Sequence, residues 1–315
     1  MSLPNRKDFL LQAGTLAFGL SGISNLVKGL QIPFDHADSF FTISLAEWSL
    51  HRTISSGQMT NLDFPSAAKK TYGISVVEYV NSFFMDKAED TEYLNDLLTR
   101  CKDNDVINHL IMCDDEGPLG DPDDKKRKKA IENHYKWVDA AKYLGCITIR
   151  VNTYGEGSPE DVQSAAADGL DQLAEYASKQ DINVIVENHG GVTSNGNWME
   201  QLMKKANRKN IGTLPDFGNF CIEYSTGPDR KCLSEYDKYK GVTQMMPFAK
   251  GVSAKTRDFD EKGNCVETDY FKMMKIVKDM GFKGYAGIEF EGKNCSEDEG
   301  IKKSKILLEK VARVL

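Results

Sequence analysis

From residue 40 onward the chain repeats one phrase eight times: a short β-branched run, a polar loop, then an amphipathic stretch. Short apolar runs bounded by turn residues read as strands, and 3.6-residue periodicity reads as helix. The pattern predicts strands at 40–45, 73–79, 106–112, 146–151, 183–186, 212–214, 250–254 and 285–290. Helices are predicted between them at 64–71, 91–103, 123–144, 159–179, 197–205, 233–246, 268–280 and 296–314. Ser158-Pro159-Glu160-Asp161 supplies an N-cap, a proline for the first turn and acids near the positive end of the helix dipole. Gly145 and Gly281 fall just past helix ends, where a left-handed backbone is favoured. Eight β-then-α units with no second domain left over predict an α/β protein, a single-domain (β/α)8 barrel over 38–315. An open doubly wound sheet would want a Gly-rich phosphate turn after its first strand. Here that strand runs into Leu45-Ala46-Glu47-Trp48-Ser49-Leu50-His51, and no Walker motif occurs.

Residues 1–37 read as an export signal or N-terminal extension. Positive charge at Arg6-Lys7 precedes an apolar, small-residue run from 10 to 26. The string Arg6-Lys7-Asp8-Phe9-Leu10 resembles a twin-arginine signal with Lys in place of the second Arg. A periplasmic or exported protein is the expectation; an N-terminal helix on the body of a cytoplasmic protein is the alternative. The run is interrupted by glycines and no other long apolar run follows, so no stable membrane insertion is expected.

Charge composition bears on partners. Forty basic residues against 47 acidic ones give a net charge of −7, the reverse of the basic face that phosphate binding demands. No nucleic-acid partner is expected, and Lys125-Lys126-Arg127-Lys128-Lys129 is read as a solvated helix face. The seven cysteines include no C-x-x-C pair, which predicts scattered reduced thiols rather than a disulfide framework or a structural zinc site. Only five histidines are present, too few for an imidazole-rich metal cluster.

Barrels of this kind carry their chemistry where the strands end. The first predicted strand delivers Glu47, Trp48 and His51, the second Glu78, and the fourth Arg150 and Asn152. The fifth ends in Glu187-Asn188-His189-Gly190-Gly191, the sixth in Pro215-Asp216-Phe217-Gly218-Asn219. The seventh carries Ser253 and Lys255, and the eighth ends in Glu289-Phe290-Glu291. Glu187, Asp216 and Glu289 each close an apolar strand. Three acids converging on one mouth repel each other unless a cation lies between them, and such an oxygen set suits a hard divalent ion. The alternative is three separate acids that cap helices or pair with Lys and Arg. Trp48 is placed either at the mouth, facing a ligand, or under the rim. Arg150 is suited either to gripping a substrate anion or to an internal ion pair.

Glu-Asn-His-Gly-Gly, Pro-Asp-Phe-Gly-Asn and Gly-Ile-Glu-Phe-Glu together resemble the xylose-isomerase-like barrels, over roughly residues 40–315. That superfamily holds sugar isomerases and epimerases, inosose dehydratases and endonuclease IV type enzymes. The resemblance implies a metal site of Glu, Asp, His and Glu, which fall here on Glu187, Asp216, Ser253 and Glu289. Ser253 stands where the His would be. His189 is the candidate replacement ligand, and the Lys255 ammonium could substitute for part of the metal's charge. The implied cofactor is a divalent ion: Mn2+, Mg2+, Co2+ or Zn2+. The implied activity is a metal-dependent sugar isomerase or epimerase working through an enediolate. Glu187 and Glu289 would then be base and acid, with Lys255 stabilising an enediolate oxygen. Glu47, Trp48, His51, Arg150, His189 and Asn219 are the expected substrate contacts. The alternatives are a sugar or inosose lyase or dehydratase on the same barrel, and a non-catalytic carbohydrate-binding relative. The expected partner is a small sugar or sugar derivative, and a homo-oligomer is left open.

Overall fold

Strands covered on both faces read as near-continuous apolar runs, and that is how the barrel strands are buried. The computed structural model describes residues 39–206, 208–226 and 231–315; the expected export segment, 1–37, lies outside the described residues. The strands are β1 (Phe41–Ala46), β2 (Val76–Val80), β3 (Ile107–Met112), β4 (Thr148–Val151), β5 (Asn183–Glu187), β6 (Ile211–Leu214), β7 (Cys221–Tyr224), β8 (Cys232–Glu235), β9 (Val252–Thr256) and β10 (Gly284–Phe290). The helices are α1 (His51–Ser55), α2 (Phe64–Tyr72), α3 (Thr91–Asp103), α4 (Asp124–Leu144), α5 (Pro159–Ser178), α6 (Gly196–Lys205), α7 (Lys238–Met245), α8 (Tyr270–Asp279) and α9 (Glu297–Val314).

Eight of these strands form one parallel sheet in the order β6-β5-β4-β3-β2-β1-β10-β9. Its two ends meet: Lys250 N donates to Thr213 O and Ser253 N to Pro215 O, each at 3.0 Å. The result is a (β/α)8 barrel. Ala46, Val80, Leu110, Met112, Ile185 and Leu214 plug its interior. A larger apolar layer, including Phe64, Trp137 and Phe290, fills the space between strands and helices. The predicted caps are in place. Ser158 Oγ accepts from Asp161 N at 3.1 Å, Ser296 Oγ accepts from Glu299 N at 3.1 Å, and Gly145 ends α4 with φ 77°. In the basic run, Lys126 pairs with Glu156 at 3.1 Å and Arg127 with Asp168 at 2.8 Å, an ion-paired helix surface. Among the described residues no helix is long and apolar enough to cross a membrane.

Two expectations are corrected in the loop between β6 and α7. The segment predicted as one helix over 233–246 is helical only from Lys238; before it, β8 pairs antiparallel with β7. The hairpin also brings Cys221 and Cys232 to a Cα separation of 5.7 Å, and they form a disulfide. The expectation of thiols throughout therefore fails at this pair. The hairpin register is irregular, setting Cys221 against Glu235 and Cys232 against Tyr224, so the two cysteines meet across a distorted pairing that cysteine spacing alone does not contain. The other five cysteines are free thiols.

Candidate active site

β5, β6 and β10 deliver the three acids to one place. Glu187 is the last residue of β5, Asp216 follows β6 by two residues, and Glu289 lies near the end of β10. All three are buried, and one carboxylate oxygen from each lies within 4.8 Å of the other two. Asp216 is fixed by its neighbours. Its backbone N–H donates to Asn188 Oδ1 at 2.7 Å, and its Oδ1 accepts the N–H groups of Gly218 and Asn219, both at 2.8 Å. The Asp-Phe-Gly-Asn string is thus a turn folded around its own carboxylate. Asn219 Nδ2 donates onward to Glu187 Oε1 at 3.1 Å.

Positive charge reaches the acids from two sides. Arg150, at the end of β4, has Nη1 at 2.6 Å from Asp114 Oδ1 and Nε at 2.9 Å from Glu187 Oε2. The second contact is an ion pair lying off the N–H axis, so neither atom gains an aligned hydrogen bond there. Lys255, opposite Glu289 in the β9–β10 register, places Nζ 3.0 Å from Glu289 Oε1, 3.5 Å from Asp216 Oδ2 and 3.3 Å from Glu291 Oε1. Ser253, two residues earlier on the same face, donates from Oγ to Asp216 Oδ2 at 2.6 Å and lies 3.0 Å from Glu289 Oε2. Burial pushes the Glu187 and Asp216 carboxyls above the ordinary carboxylate range, against the pull of Arg150 and Lys255 respectively. Burial alone would lower Lys255, but the carboxylates of Asp216, Glu289 and Glu291 hold its ammonium well above the usual lysine value.

A further buried acid lies in the barrel interior. Glu78 on β2 accepts from Ser44 Oγ at 2.6 Å, and its Oε2 has no hydrogen-bond partner. Its carboxyl takes the space left by Gly287: a Cβ at that position would meet Glu78 Oε2 at 2.6 Å. Gly287→Ala is therefore expected to destabilise the fold by about 1–3 kcal/mol, the cost of overpacking, measured by urea unfolding. Burial pushes Glu78 up to about 7 and Glu47 up to about 8. Each binds its proton more tightly in the folded chain than in the unfolded one. Their net effect is that stability falls as pH rises from the ordinary value of 4.5 towards about 8. Metal-free protein should resist urea better at pH 5.5 than at pH 8; equal or greater resistance at pH 8 would refute the assignment.

The remaining expected contacts are spread around the mouth. Trp48 donates from Nε1 to Glu291 Oε1 at 3.0 Å and stacks on His51 at 4.9 Å between ring centroids. Both line a cavity of about 560 Å³ with Arg257, Glu291, Lys293 and Asn294. Glu47 is fully buried, held by Asn61 Nδ2 at 2.9 Å and Val80 N at 3.0 Å. His189 is exposed on the loop after β5, and its nitrogens are not among the ligand atoms that cluster with the three acids. The expected substrate-contact set omitted Glu291 and Arg257. Glu291 ties Trp48, Lys255 and Arg257 together, with Arg257 Nη2 at 3.0 Å from its Oε2. The signal for both was the two-residue alternation that extends Ser253 and Lys255 to Arg257, and Glu289 to Glu291.

The fold is an eight-stranded parallel (β/α)8 barrel, and sequence comparison gives its family. Residues 66–311 match the model of the xylose isomerase-like TIM barrel family, and the chain belongs to that family. No curated protein sequence matches it. Among solved structures, that of the IOLI protein with a bound zinc atom superposes with a TM-score of 0.67 at 15% identity, covering 87% of this chain and 98% of that one. A sugar phosphate isomerase/epimerase from Parabacteroides distasonis gives a TM-score of 0.64 at 17% identity, covering 88% and 98%. A D-tagatose 3-epimerase-like protein gives 0.61 at 13% identity, covering 87% and 97%.

Proposed function

We propose that this protein is a sugar isomerase or epimerase that moves a proton between substrate carbon atoms through an enediolate. The observation that carries this reading is the meeting of Glu187, Asp216 and Glu289 within 4.8 Å at the barrel mouth. The names of the Parabacteroides distasonis and D-tagatose 3-epimerase-like structures point to the same reaction class.

The donor set suits a divalent ion. It consists of hard carboxylate oxygens, and Glu187 Oε2 is buried without an aligned hydrogen bond. Glu187, Asp216 and Glu289 would hold Mn2+, Mg2+, Co2+ or Zn2+ through carboxylate oxygens, and His189, exposed on the β5 loop, is not among the clustered ligand atoms. Such an ion supplies Lewis-acid stabilisation of negative charge on the substrate oxygens. The chain's own groups do the rest. Glu187 accepts the proton from the carbon beside the carbonyl, and burial raises its basicity above that of an ordinary carboxylate. Glu289, across the mouth, returns a proton to the enediolate. Lys255 faces the developing oxyanion with its ammonium. Trp48, stacked with His51 and Phe83, lines the 560 Å³ cavity where the sugar would lie, and His51 and Arg257 add polar contacts there. Arg150 and Asn219 orient Glu187, and Glu47 braces the β1 end from beneath.

A panel of ketoses, aldoses and inososes incubated with Mn2+, Mg2+ or Co2+ tests the proposal. Interconversion of two sugars that differ at one carbon, or as aldose and ketose, supports it. Loss of water from an inosose would assign the dehydratase instead. Binding without turnover across the panel would leave the carbohydrate-binding alternative. We further propose that the protein is exported. The Cys221–Cys232 disulfide and the Arg6-Lys7 leader string support that reading. Fractionation of cells expressing the full chain tests it, with recovery solely from the cytoplasm as the contrary result.

A further inference from the structure

We propose that Lys255 is the resident counter-ion of the Glu187–Asp216–Glu289 triad, and that a divalent ion enters only by displacing it. The inference rests on the metal reading above. Two of the three acids that would ligate an ion are already engaged by donors on β9. Lys255 Nζ lies 3.0 Å from Glu289 Oε1 and 3.5 Å from Asp216 Oδ2. Ser253 Oγ spans the same two carboxylates at 3.0 Å and 2.6 Å. The third acid, Glu187, faces Arg150 at 2.9 Å.

The surroundings are shaped to hold the lysine there. Lys255 is buried, and a Cβ on Gly218 would come within 3.1 Å of its Cδ, so the glycine of the Asp-Phe-Gly-Asn turn leaves room for the lysine stem. An ammonium and a divalent cation cannot share the same carboxylates without strong repulsion. At an effective dielectric of about 20 the penalty for neighbouring unit charges corresponds to at least about 10²-fold in affinity. The structure also offers the lysine a way out. Glu291 Oε1, 3.3 Å from Nζ, lines the cavity beside Trp48 and does not belong to the triad. A swing of the ammonium towards Glu291 frees Asp216 and Glu289 and keeps the lysine paired. Ion binding would then be an exchange of one cation for another, and the lysine would arrive at the substrate side of the site only when the ion is in place.

Titration of the full-length protein with Mn2+ by calorimetry, for the parent, Lys255→Met and Lys255→Gln, tests this directly. Gln keeps a neutral donor to the carboxylates, so it guards against a folding failure of the Met variant. Both variants should bind one Mn2+ about 10²-fold more tightly than the parent, and Mn2+ should raise their melting temperatures by more than the parent's. Unchanged or weaker binding by the folded variants, with clear binding by the parent, would overturn the competition while leaving the metal reading standing. Absence of Mn2+ binding in the parent and both variants would overturn the metal reading itself, and the inference with it.

Discussion

Glu187→Gln is expected to lower turnover by about 10³-fold, within the 10²–10⁴ range that a positioned general base contributes. The substitution keeps shape and an acceptor oxygen, so the bond from Asn219 Nδ2, 3.1 Å in the parent, can persist. Arg150 keeps its 2.6 Å partner Asp114, which limits the structural cost of removing the Glu187 charge. The base itself is lost, and the amide cannot accept a proton from carbon. The check is kcat and KM with the best sugar of the panel, beside a thermal melt. The loss should fall on kcat; a loss confined to KM, or an unfolded variant, would assign Glu187 a binding or structural role.

Arg150→Met is expected to cost about 3–5 kcal/mol of stability, because it removes one partner from a buried ion pair and leaves the other charge without compensation. Arg150 is nearly inaccessible, and it pairs with both Asp114 and Glu187. The pH dependence carries the signature. Burial alone would raise the Asp114 carboxyl, but the Arg150 guanidinium overrides it and holds the group down at about 2, from an ordinary 3.8. A depressed acid contributes stability that is complete above its unfolded pKa and lost as pH falls through the folded one. The parent should therefore lose this contribution between about pH 4 and about pH 2, and Arg150→Met should not. Urea unfolding at pH 7 and pH 3 measures both. A variant within 1 kcal/mol of the parent at pH 7 would mean that Arg150 is held for ligand binding rather than for the fold.

The barrel was legible because its signal is local and repeated. Each barrel strand is largely buried on both faces, the longer helices bury an apolar face, and caps such as Ser158 and Gly145 mark the boundaries. The acidic triad was legible for a related reason: Glu187, Asp216 and Glu289 each interrupt an apolar run at the end of a strand, where barrels place chemistry. The relations that join strands were not legible. Nothing near Arg150 says that it bridges Asp114 and Glu187, and nothing near Gly287 says that its missing side chain makes room for Glu78. The β7–β8 hairpin escaped because Cys-Leu-Ser-Glu is exposed along its whole length and shows no in–out alternation. With the hairpin unread, the Cys221–Cys232 pair was hidden too. For the histidine absent from β9, the sequence offered Lys255 on that strand and His189 on the β5 loop as rival replacements. In the structure Lys255 reaches two of the triad's carboxylates, while His189 stands exposed on its loop.

The central claim is proton transfer to and from carbon at the Glu187–Asp216–Glu289 mouth, and hydrogen exchange with solvent tests it most directly. The protein would be incubated in D2O with Mn2+ and the sugar it converts, and the carbon-bound hydrogens of substrate and product followed by NMR. With one carboxylate removing the proton and another returning one, the product must carry deuterium at the carbon beside the carbonyl, and Glu187→Gln and Glu289→Gln must each suppress that incorporation along with turnover. Product formed at the parent rate by either variant, or product free of deuterium at that carbon, would contradict the account.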